Sequence, residues 1–100
     1  MSLTVQVSGV PVRASWCYQR DDKSGQPFIT RCTLESNGMV AEKIAVCHVK
    51  DHFDKELGRK LSLTRVLNAC YPGAEYKEVR RKFWTQYKNR HNNQIGGTHV

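Results

Sequence analysis

The fold is decided by an alternating stretch in the N-terminal half, which reads Val12-Arg13-Ala14-Ser15-Trp16-Cys17-Tyr18-Gln19. Its apolar and polar side chains alternate with a period of two, which sends one set to each face of a β-strand. Residues 28–35 alternate in the same way, and one side carries Phe28, Thr30, Cys32 and Leu34. We therefore predict that these two stretches pair as an antiparallel hairpin.

The register of this hairpin follows from the apolar pattern. When Trp16 is placed opposite Cys32, both apolar sets lie on the same face. The neighbouring pairs are then Tyr18 with Thr30 and Ala14 with Leu34. A slip of one residue would place Trp16 against Thr33 and divide the apolar set between the faces.

Two further strands flank the hairpin. Residues 3–7 form a short strand candidate that ends at Ser8-Gly9-Val10-Pro11. Asn37-Gly38 favours a tight turn because both residues accept positive φ, and residues 39–49 then return as a strand. The continuous apolar run Ile44-Ala45-Val46-Cys47 predicts burial on both faces of that strand.

The period changes to a helical one after Lys50. Asp51 or Asp54 can cap a first helix, whose apolar stripe is predicted to contain Phe53, Leu57, Leu61, Val66, Leu67 and Cys70. Gly58 costs about 1 kcal/mol relative to alanine inside a helix, so we expect another backbone or a ligand to approach it closely. Tyr71-Pro72-Gly73 ends this helix.

A second helix is predicted from about residue 74 to residue 90. Its apolar stripe consists of Tyr76, Val79, Phe83, Trp84 and Tyr87. A stripe of this kind is more often core than a binding surface, because the apolar face of the sheet needs helices to cover it. The sequence thus predicts an α+β fold: a three- to four-stranded antiparallel meander packed against two C-terminal helices. We expect one domain over residues 1–90 and a flexible tail over 91–100.

The sequence shows no sign of a signal peptide, a membrane span, disulfide bonds or a metal site. The start of the chain has no basic segment followed by an apolar run, and no stretch approaches membrane-spanning length, so we expect a cytoplasmic protein. Reduced thiols are then expected at Cys17, Cys32, Cys47 and Cys70. No close-spaced cysteine pair is present, so neither a metal site nor a cofactor is predicted, although Cys47 lies near His48 and His52.

The formal charge of +7 over 100 residues is concentrated in the second half of the chain. Residues 1–50 carry 6 basic and 4 acidic residues, whereas residues 51–100 carry 10 and 5. The helices therefore provide the predicted binding face for nucleic acid, DNA or RNA, or for an acidic protein surface. Its candidate residues are Lys77, Arg80, Arg81, Lys82, Lys88 and Arg90 on the second helix, and Arg59, Lys60 and Arg65 on the first.

Catalysis is not predicted. Cys47 and His48 are adjacent in a predicted strand and would point to opposite faces, so they cannot form a nucleophile and base pair. No phosphate-binding glycine motif is present around Arg59 and Lys60. We expect a protein that is not an enzyme and has no catalytic residues.

Residues 50–67, together with Arg81-Lys82-Phe83-Trp84-Thr85-Gln86-Tyr87, resemble small early or accessory proteins encoded by tailed bacteriophages. The resemblance covers the C-terminal half only and implies no catalytic residue. It implies a function in the cytoplasm of a bacterial host.

The expected function is nucleic-acid binding through the basic second helix. The alternative is inhibition of a host protein, such as a defence nuclease complex of the anti-CRISPR or anti-restriction type, or a polymerase. In that case the basic face would occupy an acidic or normally nucleic-acid-facing surface. The oligomeric state is left open.

Overall fold

The structure is a computed structural model that describes residues 2–20, 23, 27–46 and 54–99, with backbone alone at 27–28 and 90–99. Four strands come first: β1 (Ser2–Val7), β2 (Val10–Arg20), β3 (Pro27–Ser36) and β4 (Met39–Val46). They are followed by α1 (Lys55–Cys70), a 3₁₀ turn (Ala74–Tyr76) and α2 (Lys77–His99). The sheet is antiparallel in the order β1-β2-β3-β4, which confirms the predicted α+β fold and gives the meander four strands.

The central hairpin has the predicted register. Trp16 pairs with Cys32, and the neighbouring pairs are Tyr18 with Thr30 and Ala14 with Leu34. The turn at Asn37 and Gly38 has φ values of 50° and 78°, as the hairpin prediction requires. Ser8 and Gly9 form a second turn of the same kind, with φ values of 53° and 79°. Local alternation and turn chemistry were therefore sufficient to define this part of the sheet.

The core lies between one face of the sheet and the two helices. α1 packs against β3 and β4, and α2 packs against β1. The buried apolar side chains include Leu3, Val5, Val12, Ala14, Trp16, Cys32, Leu34, Leu63, Val66, Leu67, Phe83 and Tyr87. The helices cover the face that the alternating stretch predicts to be apolar.

The prediction that Ile44 to Cys47 is buried on both faces was wrong for the residues the structure describes. β4 is an edge strand, and the helices lie on one side of it only. Ala45 faces the helices and is buried, whereas Ile44 is 39% exposed and Val46 is 58% exposed. A continuous apolar run therefore did not indicate two covered faces here. Cys47 lies outside the described residues.

The first helix is capped as predicted, but two residues of its predicted apolar stripe are exposed. Asp54 Oδ1 accepts hydrogen bonds from the backbone N–H groups of Glu56 and Leu57 at 3.0 and 3.2 Å. Leu57 and Leu61 are exposed, and burial begins at Ser62 and continues with Leu63, Val66 and Leu67. The first turns of α1 contact the sheet through Gly58, so no large apolar side chain faces the sheet there. Asp51 and Phe53 lie outside the described residues.

The second helix differs from its prediction mainly at its ends. Ala74–Tyr76 is a 3₁₀ turn, and α2 begins at Lys77 and continues to His99, beyond the predicted end at Arg90. Residues 91–99 contain no proline, so the hydrogen-bond ladder of the helix can continue through them, although Gly96 and Gly97 each cost about 1 kcal/mol relative to alanine in a helix. The predicted flexibility of residues 91–100 stays a prediction. Among the described residues, no helix combines the length and hydrophobicity needed to cross a membrane.

Candidate functional site

α2 divides into a buried face and an exposed face. Phe83 and Tyr87 are buried, and Val79 and Trp84 are half-buried against the same core. These positions confirm the predicted core face except at Tyr76, which precedes α2 and is 37% exposed. The remaining surface of the helix carries its charges.

Three exposed basic residues and one half-buried aromatic residue form a line along α2, which we call the basic stripe: Lys77, Arg81, Trp84 and Lys88. They are spaced at i, i+4, i+7 and i+11, which places them on one side of a helix. The line from Lys77 to Lys88 is about 16 Å long at the usual helical rise. The side chains of Lys77 and Lys88 make no hydrogen bond or ion pair with any described residue.

Arg81 has one partner, which solvent weakens. Its Nη1 lies 3.6 Å from Glu78 Oε1, and the two side chains are 74% and 73% exposed. An ion pair this exposed contributes little to stability and exchanges readily for another anion. Arg81 therefore remains available to an external ligand.

A groove of about 410 Å³ adjoins the basic stripe on the side of α2 that faces β1. Thr4 and Gln6 line it from β1, and Arg81, Lys82 and Gln86 line it from α2. Lys82 is exposed and has no partner in the described part of the chain. The groove thus adjoins the cationic surface at the sheet edge, although Glu78 also lines it and adds one acidic group.

Arg80 lies on the same helix but has an internal role. Its Nη1 donates hydrogen bonds to the carbonyl oxygens of Tyr71 and Gly73, at 2.5 and 2.7 Å. These two carbonyls belong to the connection between α1 and α2. Arg80 therefore ties that connection to α2, and its donors are partly occupied.

Arg59 links three elements of the fold. Its Nη1 donates to the Tyr18 hydroxyl oxygen on β2 at 2.9 Å, and its Nε donates to the Tyr87 hydroxyl oxygen on α2 at 3.3 Å. The Arg59 carbonyl also accepts a hydrogen bond of 3.2 Å from the indole nitrogen of Trp16. Burial lowers the pKa of Arg59, but the interactions with Tyr18 and Tyr87 outweigh burial and leave the pKa raised. This arginine stays charged while it joins α1 to β2 and α2.

The other two candidates on α1 also have partners within the fold. Lys60 Nζ lies 3.3 Å from Glu56 Oε1, one turn away on the same helix, and this ion pair, like that of Arg81, is exposed to solvent and weak. Arg65 Nη1 donates a hydrogen bond of 2.7 Å to the carbonyl oxygen of Ile44 on β4. Both side chains are directed by these contacts along α1 or towards the edge strand. The side chain of Arg90 lies outside the description, so its predicted role stays a prediction.

Sequence reasoning missed two features of this surface. Trp84 packs against the core as predicted, but it is only half-buried and also lies between Arg81 and Lys88 on the basic stripe, a position that the apolar stripe alone does not indicate. The spacing of residues 77, 81, 84 and 88 would have indicated this line. Sequence reasoning also missed the contribution of Thr4 and Gln6 to the groove, because the alternation of β1 does not indicate which helix packs beside it.

Two of the described cysteines have thiols with raised pKa values. Burial raises the pKa of the Cys32 thiol to about 12, and burial also raises the pKa of Cys70 despite an opposing effect of Lys43. Both shifts disfavour the nucleophilic thiolate. Within the described residues, no group of three or more His, Cys, Asp or Glu side chains is placed to hold a metal ion. Cys47, His48 and His52 lie outside the described residues.

Comparison of the chain with protein-family models, with curated proteins and with solved structures found no match. Any functional assignment for this chain therefore depends on the chemistry of its own surface.

Proposed function

We propose that this chain is a non-catalytic protein that binds nucleic acid through the basic stripe of α2. The observation that carries the proposal is the placement of Lys77, Arg81 and Lys88 on one exposed side of a single helix. Cations arranged along a surface contact successive phosphates and release the counterions condensed on them. The helix supplies a fixed spacing, so little conformational entropy of the backbone is lost on binding.

The charge balance of α2 supports the same proposal. Residues 77–89 contain five basic residues and one acidic residue, Glu78. Arg80 is directed towards the α1–α2 connection, which leaves Lys77, Arg81, Lys82 and Lys88 on the exposed surface. The electrostatic potential there favours anions and raises the rate at which a polyanion is captured.

The test is a comparison of two variants that lose the same charge in different places. The stripe variant carries Lys77→Gln, Arg81→Gln and Lys88→Gln. The control variant carries Arg13→Gln, Lys23→Gln and Lys43→Gln, three exposed residues that lie on β2, between β2 and β3, and on β4. Affinity for a fluorescent mixed-sequence oligonucleotide is measured by anisotropy at low and moderate salt.

We expect the stripe variant to bind at least about tenfold more weakly than the wild type, and the control variant to bind much more tightly than the stripe variant. Equal losses in the two variants would mean that net charge alone matters and that α2 is not the binding face. Absence of wild-type binding at low salt would contradict the proposal altogether.

The second candidate is a protein partner, specifically a bacterial host protein inhibited by a phage-encoded factor. The observation in its favour is the apolar exposure of β4, where Val40 is 62%, Ile44 39% and Val46 58% exposed on the face that the helices leave uncovered. Exposed apolar side chains grouped on one edge are typical of protein-binding surfaces. A pulldown from nuclease-treated bacterial lysate should then recover one dominant protein with the wild type. Recovery of nothing after nuclease treatment would contradict this candidate.

A further inference from the structure

The position of Trp84 indicates which form of nucleic acid the basic stripe binds. This inference rests on the proposed function. Trp84 is the aromatic member of the basic stripe, three residues after Arg81 and four residues before Lys88. Trp84 packs against the core but is not fully buried, so it remains partly accessible to solvent between two cations in the stripe. An aromatic side chain flanked by cations is the arrangement with which proteins hold unpaired bases and their phosphates.

The indole is held in place by its neighbours. Its ring centroid lies 5.9 Å from that of Tyr87, with an interplanar angle of 75°. Tyr87 in turn contacts the buried Trp16 at 5.9 Å with an angle of 61°, and its hydroxyl accepts the hydrogen bond from Arg59. These contacts fix the orientation of Trp84 before any ligand arrives. A fixed ring loses little side-chain entropy when a base stacks on it.

A duplex does not offer the same contact. Its base faces are already stacked on one another, so Trp84 would reach one only after a base had been unstacked at a cost in free energy. A single strand presents base faces and phosphates together. Lys77, Arg81 and Lys88 would contact its phosphates while Trp84 contacts a base.

We infer that the ligand of the basic stripe is single-stranded nucleic acid, with one base stacked on Trp84 and the neighbouring phosphates held by Arg81 and Lys88. The basic residues supply the affinity for phosphate, and Trp84 supplies the selectivity for unpaired bases. Every base has a stacking face, so little sequence preference is expected.

The experiment compares three ligands of equal length at one salt concentration: a mixed-sequence single strand, the same strand annealed to its complement, and an abasic strand that has the phosphates but no bases. We expect the single strand to bind about tenfold more tightly than the abasic strand, and more tightly than the duplex. Equal affinity for the single and abasic strands, or tighter binding of the duplex, would overturn the inference and leave the proposed function intact. Failure of all three ligands to bind at low salt would overturn both.

Two variants and a spectroscopic measurement test whether the preference for the single strand depends on Trp84. Trp84→Phe keeps an aromatic ring and Trp84→Leu removes it, and circular dichroism verifies that both variants fold. The single-strand advantage over the abasic strand should be largely kept by Trp84→Phe and lost by Trp84→Leu. If neither variant folds, fluorine NMR of wild-type protein labelled with 5-fluorotryptophan replaces them. The resonance of Trp84 should then shift with the single strand and not with the abasic strand, whereas identical responses to both strands would overturn the inference.

Discussion

Gly58 of α1 lies against the side chain of Thr30 on β3 so closely that no Cβ atom fits between them. A Cβ placed on Gly58 would lie 3.2 Å from the Thr30 Cβ and would overlap its hydroxyl oxygen. Thr30 is fully buried, and its hydroxyl has no hydrogen-bond partner among the described residues. The absence of a side chain at Gly58 therefore sets how closely α1 approaches the sheet, and with it the position of Arg59.

Gly58→Ala should destabilise the fold by about 1–2 kcal/mol, because overpacking outweighs the gain of about 1 kcal/mol in helix propensity. Urea denaturation gives the free energy of unfolding. In a Thr30→Ala background the overlap with the hydroxyl oxygen is removed and only the 3.2 Å approach of the two Cβ atoms is left, so the same glycine substitution should cost clearly less. Equal costs of Gly58→Ala in the two backgrounds would show that the two residues are not coupled.

The sequence was sufficient for features that depend on local chemistry. The pairing of Trp16 with Cys32 followed from alternation, and the Asn37-Gly38 turn followed from its tolerance of positive φ. Gly58 was expected to mark a close approach, although the partner is the Thr30 side chain and neither a backbone nor a ligand. These features are determined within a few residues along the chain.

The features that could not be predicted depend on how the elements pack together. The exposure of Ile44 follows from β4 being an edge strand that is covered on one side only. Arg59 donates hydrogen bonds to Tyr18 and Tyr87, which are 41 and 28 positions away along the chain. No local pattern indicates such contacts, so a basic residue that the sequence assigns to a binding face can be hydrogen-bonded to other elements of the fold.

Tyr87→Phe should lower the free energy of unfolding by about 1 kcal/mol, because it removes the hydroxyl that accepts from Arg59 Nε and leaves that donor unsatisfied. Tyr76→Phe is the matched control. The Tyr76 hydroxyl makes no hydrogen bond to a described residue, so this change should be close to neutral. If both substitutions had the same effect in chemical denaturation, Arg59 would not be acting as a bridge.

Substitutions of the adjacent residues Arg80 and Arg81 should have different effects: the first should lower stability and the second should weaken binding. Arg80→Ala removes two hydrogen bonds to the Tyr71 and Gly73 carbonyls and should cost about 1–2 kcal/mol of stability. Arg81→Ala removes only an exposed ion pair and should cost less than about 0.5 kcal/mol, while it weakens nucleic-acid binding. Thermal melting and anisotropy titrations of both variants measure the two effects. The reverse pattern would contradict the roles assigned to these residues.

Stability should fall at alkaline pH because of Cys32. Burial raises the pKa of its thiol from 9.0 to about 12, so the folded chain keeps a proton that the unfolded chain releases. The stabilising contribution is complete below about pH 9 and is lost as the pH rises towards 12, by at most about 1.4 kcal/mol per pH unit. Burial also raises the pKa values of Cys70 and Tyr71, which act in the same direction.

Urea denaturation between pH 8 and pH 11 measures this dependence. Cys32→Ala should lower stability at every pH by leaving a cavity, and it should also flatten the decline above pH 9. Cys17→Ala, at an exposed position, should leave the decline as it is in the wild type. The same slope in both variants would rule out Cys32 as the titrating group.

The central claim is that cations on α2 bind the phosphates of a nucleic acid. Its most direct test is the salt dependence of wild-type binding to a single strand, plotted as the logarithm of the binding constant against the logarithm of the salt concentration. Contacts from Lys77, Arg81 and Lys88 to three phosphates predict a slope of about −2, and the slope should approach zero in the stripe variant. A wild-type slope near zero, or an equal slope in the two proteins, would contradict the claim.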